Sequence, residues 1–529
     1  MMRVFLKAAL TLAVAALVLA PAARAQELRI AMKAAVDSFD PALLFTPNRN
    51  VQQHVFEPLV FQDAHLKPLP GLAESWRVIN PTTWEFKLRR NVTFHDGTPF
   101  TARDVAFSIK RAQGKTGIRT YRHYLKDIVG IDIVDDHTVH IRTASPSALL
   151  ISNLSTLGMV SAGLVEGAND DGFNSGALAV GTGPYRRVRF VPNQEIVLER
   201  NEKYWGSVEP WVKVTIRFIG NDSARVAALL SNEADVIDAV PGNLYARVRD
   251  SASANLVSDT SIFLLYAQFD RFRDSSPYVR DADGKPLSAN PLKDKRVLEA
   301  MSRAVNRQAL AERVMDGSAE PAGQLAPAGF VGHDPTLKPL GHEPAKAKQM
   351  LAEAGWPRGF ELTLHCLNDR FSGDIQTCQA IASMFSAIGV RSKVEGLPSA
   401  TFFRRANSGG PNGEPEFSAT MAIFGASSGE PIQSLVTLVE TVNAEKGHGG
   451  NNRGRYSNAE VDRLTELSQQ TLDDAEREKL VFAATRIVMA ENGVFPIYFL
   501  KASWGVNRKL TLAPRGDQYT LATRIRPAP

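Results

Sequence analysis

Residues 271–291, rich in Asp, Ser, Pro and Gly, interrupt this 529-residue chain near its middle, and the apolar pattern changes across them. Before the break, Glu27–Met32 and Thr83–Leu88 alternate apolar and polar residues, with Trp84, Phe86 and Leu88 on one face. Val139 and Ile141 share a face in 138–142, and an alternating hairpin follows the turn at 181–185. Period two marks half-buried strands. Thr101 is placed to cap a helix through 111, with another helix at 223–231 and a short buried strand at 262–269. After the break, Val297, Leu298, Met301, Ala304 and Val305 form one helical stripe, ended by Asp316-Gly317. A second helix opens at Pro344 and closes at Gly355. Strand 361–364, helix 374–388 and strands 390–394 and 420–424 follow. Strands alternating with helices predict α/β units. A chain too long for one core, divided by such a connection, predicts two or three lobes.

Composition excludes several classes. Hydrophobic residues at 44% and charged residues at 22% rule out a disordered chain, a collagen-like repeat and a coiled coil. The formal charge of +5 is far from nucleic-acid-binding density. Part of it belongs to the first 25 residues. Arg3 and Lys7 precede an apolar run at 8–20, followed by Pro21 and Ala23-Arg24-Ala25. A positive start, a short apolar centre and an A-x-A end predict a Sec-type signal peptide cleaved near Ala25-Gln26. The run is shorter than a membrane span needs. Removing Arg3, Lys7 and Arg24 leaves 58 basic residues against 56 acidic ones, so no polyanionic partner is implied. Cys366 and Cys378, the only two cysteines, flank one turn of an exported chain, and a disulfide between them is expected.

Several strings carry a family resemblance. They are Phe39-Asp40-Pro41, Leu72-Ala73-Glu74-Ser75-Trp76, 94–100 (FHDGTPF), Gly181-Thr182-Gly183-Pro184-Tyr185, Ala304-Val305-Asn306-Arg307, 351–355 (LAEAG), Ile388-Gly389-Val390 and Tyr456-Ser457-Asn458. In order over nearly the whole mature chain, they resemble the extracytoplasmic solute-binding proteins, family 5, of ABC importers for peptides and nickel. The resemblance implies an α/β, periplasmic-binding-protein-like two-lobed clamshell (type II) with an accessory subdomain inserted in lobe one. Lobe one would comprise 26–50, 180–270 and 491–529, the insertion 51–179, and lobe two 271–490. It also implies a periplasmic monomer that captures a peptide or peptide-like solute and hands it to an inner-membrane ABC permease. No cofactor, metal or nucleic acid is expected.

The same resemblance places the ligand cleft. In dipeptide-binding relatives an Asp that pairs with the ligand's α-amino group stands three positions before an Asp-Pro pair. Here Ser427 stands in that place and Glu430 precedes Pro431. A buried ammonium needs an anion, so this departure counts against dipeptides unless Glu430 takes over. In the turn 368–373, Arg370 is either a fork for a ligand carboxylate or phosphate, or a surface arginine paired with Asp369 or Asp374. Asn368, Phe371, Phe402, Phe424 and Ser428 join the candidates, as do Phe39 and Trp504; the aromatics serve equally as core. Two alternatives come from other classes. Gly425-Ala426-Ser427-Ser428-Gly429 matches the nucleophile elbow of a serine hydrolase, with His448 and Glu440 or Glu445 as partners, although an enzyme is not the expected reading. A binder of a chelated metal such as nickel is the other, although the ten histidines are scattered without a ligand motif. His54, His65, His95 and His365 read as structural or surface residues.

Overall fold

Two long strands, Ala254–Phe269 and Phe495–Asn507, lie antiparallel at the centre of a 12-stranded sheet in the computed structural model. It describes residues 26–44, 46–117, 120–426 and 428–529; the segment expected to be a signal peptide and Ser427 lie outside them. On one side of the central pair stand Val236–Asp238, Glu27–Met32, Lys213–Phe218, Glu195–Arg200 and Tyr185–Val191. On the other stand Ala419–Phe424, Phe360–Leu367 and Val279–Arg280, with Val390–Leu397 added beside Phe360–Leu367. Glu27–Met32 is parallel to both neighbours, and Phe360–Leu367 is parallel to Val390–Leu397 and Ala419–Phe424. Parallel strands flanked by helices make this the mixed α/β fold expected, in a two-lobed arrangement.

The central pair is not continuous. Ala254 to Thr260 pair with Asn507 to Lys501, and pairing resumes only at Leu264 opposite Phe499. Beyond that point Leu264 to Phe269 also pair with Ala419–Phe424. The gap at Ser261–Phe263 leaves backbone groups that must be satisfied. Ile262 N–H donates to Gly516 O (3.1 Å), and Ser261 Oγ donates to Leu500 O (2.7 Å). Gln518 Nε2 in turn donates to Ser261 Oγ (3.1 Å). A C-terminal loop therefore patches the strand where it passes from one half of the sheet to the other.

Each half has its own buried cluster. Leu28, Ile30, Val214, Ile216 and Trp504 belong to one, and Val297, Leu298, Met301, Leu362 and Phe385 to the other. A separate 4-stranded sheet joins Ala73–Asn80, Thr83–Leu88, Thr138–Thr143 and Ile128–Asp135. Helix Ala102–Gly114 packs on it through Val105 and Ile109, and Phe86, Phe94 and Ile141 are buried in the same cluster. Asp104 reaches back to the Thr101 N–H (2.8 Å), closing the predicted helix start.

The expected strand–helix–strand unit after the break is present as Phe360–Leu367, Asp374–Ala387 and Val390–Leu397. Its two parallel strands start from Gly359 and Gly389, both at positive φ (68° and 105°). A Cβ on Gly359 would lie 1.8 Å from Gly389 O, so only glycine permits this approach. Cys366 and Cys378 form a disulfide (Cα–Cα 6.5 Å) that ties strand to helix beneath the 368–373 turn.

Three element readings change. The helix expected through Asp316 stops at Ala304, because Val305 is extended and the Asn306 side chain accepts from Ala309 N–H (2.9 Å) and starts a new turn. The strand read as 262–269 begins at Ala254. Helices Ala459–Gln470 and Asp474–Ala490 were not anticipated. Among the described residues no helix is long and apolar enough to cross a membrane.

Candidate functional site

The two halves of the sheet enclose a cavity of about 550 Å³ over the central strands. Several of its polar residues sit where open α/β sheets place ligands, at or just beyond the carboxyl ends of strands. Glu27–Met32 delivers Lys33, Val236–Asp238 delivers Asp238, and the turn after Phe360–Leu367 delivers Arg370 and Phe371. Phe263, at the gap in the central strand, and Leu500 to Trp504 form its floor.

Arg225 organises the first wall. Its side chain is wholly buried on helix Asp222–Leu230. It donates to Asp238 O (3.0 Å), Ala239 O (2.7 Å), Ile219 O (2.8 Å) and Asp222 Oδ1 (2.6 Å). Ala239 is held at φ 46°, a conformation that costs a non-glycine residue free energy, and the guanidinium offsets it. Asp238 Oδ1 accepts from Lys33 N–H (2.7 Å). Burial pushes the Asp238 carboxyl up to about 6, against the pull of Arg225. Lys33 Nζ lies 3.2 Å from Asp222.

A second wall comes from the C-terminal loop that patches the central strand. Asp517 is held by Arg515 (Nη2 to Oδ2 2.5 Å) and accepts from Tyr519 N–H (3.0 Å). Arg49 lies behind Tyr519, its guanidinium 5.5 Å from the ring centre, with Nε and Nη1 buried and unpartnered.

The third wall is the turn over the disulfide. Asp369 accepts from Ser399 N–H (2.9 Å) and Oγ (2.5 Å), anchoring the next helix. Asp374 accepts from the backbone N–H groups of Arg370 (2.9 Å) and Ile375 (2.7 Å). Burial raises the Asp374 carboxyl, and those backbone donors oppose it. Both carboxylates are thus engaged elsewhere, and the exposed Arg370 guanidinium makes no ion pair among the described residues. Arg370 is therefore an exposed arginine that is not paired with Asp369 or Asp374. Gly373, at φ 89°, closes the turn over Met315, whose Sδ would sit 2.7 Å from an added Cβ.

Of the residues singled out in the sequence, the structure brings Arg370, Phe371 and Trp504 to this cavity. Trp504 is itself buried, its Nε1–H donating to Thr520 Oγ1 (2.8 Å). Asn368 is exposed at the start of the same turn but does not line the cavity. Phe424 faces a different cavity of about 500 Å³, between 124–153 and 424–470, although its neighbour Ile423 lines the first. His448 borders that second cavity, and its Nδ1 lies 3.0 Å from Glu440. Ser428 is buried, its backbone carbonyl accepting from Gln62 Nε2 (2.7 Å). Glu430 is buried beside a third cavity with Trp84 and Arg477, and burial raises its carboxyl. It does not reach the cleft and cannot take over an amine there. Phe39 and Phe402 are corrected outright: both are 0% exposed core side chains. Phe39 packs on Phe56 and Phe190, and Phe402 on Phe403 and Phe417.

Lys33, Asp238, Lys501 and Asp517 were missed. The first two stand one step past or at the end of a parallel strand, a signal readable once those strands are paired; the other two carry no local motif.

The model for bacterial extracellular solute-binding proteins, family 5, matches residues 67–446. The chain belongs to this family. Family 5 relatives include the glutathione-binding protein GsiB of Escherichia coli O1:K1 / APEC, 26% identical over 92% of this chain and 91% of its own. GsiB of Salmonella choleraesuis is 27% identical over 93% and 92%. Among solved structures, HbpA2 from Haemophilus parasuis superposes with a TM-score of 0.80 at 23% identity, covering 95% of this family 5 chain and 100% of its own. NikZ from Campylobacter jejuni, in complex with Ni(L-His), gives 0.75 at 20% identity over 94% and 99%. At these identities the superpositions establish the periplasmic-binding-protein fold.

Proposed function

We propose that this family 5 protein is the periplasmic, non-catalytic component of an ABC importer, and that it captures a peptide or peptide-like solute in the cleft lined by Lys33, Asp238, Arg370, Lys501 and Asp517. The observation that carries this reading is the 550 Å³ cavity itself, roofed by residues from both halves of the sheet and floored by the two strands that join them. Cavities of roughly 300–1,000 Å³ hold small organic ligands. Relatives named for glutathione and for a murein tripeptide support a peptide-like class.

The proposed lobes are 26–50 with 180–270 and 491–529, and 271–490, with 51–179 inserted in the first. The separate sheet and core between Ala73 and Thr143 support the insertion. The hinge of this reading is at Ser261–Phe263 and Leu500, where the register gap lies, inside the first lobe's proposed segments. Closure about that point would desolvate a bound solute, and the closed monomer would be the form presented to the inner-membrane permease.

Native mass spectrometry of the purified mature protein, followed by thermal-shift measurements with glutathione and short peptides, tests the reading. A retained peptide-like mass, or a melting point raised by several degrees at saturating ligand, is expected. No retained mass and no shift with any such compound would contradict it.

A further inference from the structure

The charges of the cleft do not cancel. Its two carboxylates are already matched: Asp238 by Arg225 and the Lys33 backbone N–H, Asp517 by Arg515. Lys33 is matched by Asp222. Arg370 and Lys501 line the same cavity and form no ion pair among the described residues. Asp369 and Asp374, the nearest acids in sequence to Arg370, are occupied by Ser399 and by backbone donors. Arg49, buried behind Tyr519 with two unpartnered nitrogens, adds to the positive field. Arg370 is exposed and Lys501 half-buried, so an entering anion would meet both without displacing a partner carboxylate, and closure over the cleft would require the cations to be paired.

We propose that the solute of this cleft is an anion bearing at least two carboxylate-type groups, one received by the Arg370 fork and one by Lys501, and not a solute anchored through a free ammonium. This rests on the solute-capture reading above and names its substrate class. The guanidinium accepts a carboxylate through two parallel N–H bonds, and the lysine pairs as a point charge. Leu44, Phe263, Phe371 and Ile423 add apolar wall to the same cavity. The apolar middle of a short acidic peptide or a related dicarboxylate suits a lining that combines two cations with apolar wall. A free amine would enter a cavity whose acids are already spent.

Calorimetric titration tests this with a matched set: N-acetyl-Glu-Glu, its fully amidated counterpart, Ala-Ala with a free amine, and glutathione beside its diethyl ester. The acidic members are expected to bind about ten-fold or more tightly than their amides or esters. Arg370→Gln and Lys501→Gln should each weaken acidic binding by a similar factor, with the ligand-free melting point unchanged, and Lys501→Arg should retain it. Equal or tighter binding of the amidated peptide, the diethyl ester or Ala-Ala, or no effect of either glutamine variant, would overturn the anionic assignment while leaving solute capture standing. Failure of every member to bind would sink both.

Discussion

Arg225 shows how much of the cleft depends on one side chain that touches no ligand. It satisfies three carbonyls and a carboxylate, holds Ala239 at positive φ and sets the position of Asp238. Arg225→Met would leave those acceptors buried without a donor. We expect a loss of roughly 3–5 kcal/mol in unfolding free energy, read by urea denaturation, because breaking a buried charge network is costly. A loss under about 1 kcal/mol would mean that water replaces the guanidinium. At this scale the sequence was legible only in part. Arg370 was singled out through the family resemblance, with a surface arginine as the other reading, and it lines the cavity. Phe39 and Phe402 were misread because an aromatic in a family string fills a core as readily as it walls a cleft. Asp238 and Asp517 were invisible, since an isolated Asp becomes a site residue only when distant strands bring it there.

Among the elements, the unit Phe360–Leu367, Asp374–Ala387 and Val390–Leu397 was legible because local signals agree: apolar strands, a glycine before each, and a helix of the right length. The disulfide belongs to this unit, linking strand and helix across 12 positions and bracing the turn that carries Arg370. Replacing Cys366 and Cys378 by Ala together should lower stability by roughly 3 kcal/mol in the chain-entropy model. The midpoint of chemical denaturation, compared with wild type under non-reducing conditions, checks it; identical midpoints would show that the bridge constrains little. Other elements were obscured for physical reasons. The first half of Ala254–Phe269 is edge-like, with much of its surface exposed, so its alternation is weak. Helix Asp474–Ala490 buries Val481, Ala484 and Val488 but also half-buries Leu480, Ala483 and Ile487, which blurs its apolar stripe.

For the whole molecule, stability should depend on acid through buried histidine. His54 is buried where helix Thr46–Gln52 meets the C-terminal segment, with Nδ1 against Val51 O (2.9 Å) and Nε2 accepting from Ala522 N–H (2.9 Å). Burial pushes its pKa down to about 4, opposed by the Val51 contact. The unfolded chain therefore binds the extra proton first. Stability is full above about pH 6.5 and falls as pH drops toward 4, by about 3 kcal/mol from this group. Urea unfolding between pH 7.5 and 4.5 should show that slope, and His54→Gln should make it shallower. An unchanged slope would place the acid sensitivity elsewhere. The break at 271–291 lies just past the end of strand Ala254–Phe269, but the register gap within that strand was not legible, because it is a property of pairing between residues over 200 positions apart.

One cleft, to which segments 32–34, 238–242, 370–372 and 517–519 contribute beside the central strands, is proposed to receive the solute. Hydrogen-exchange mass spectrometry of the mature protein, with and without the solute retained through purification, tests it most directly. Protection is predicted together at 32–34, 238–242, 370–372 and 517–519, with added protection at the 261–263 gap. Protection confined to the cavity around Phe424 and His448, or none in these four segments, would contradict it.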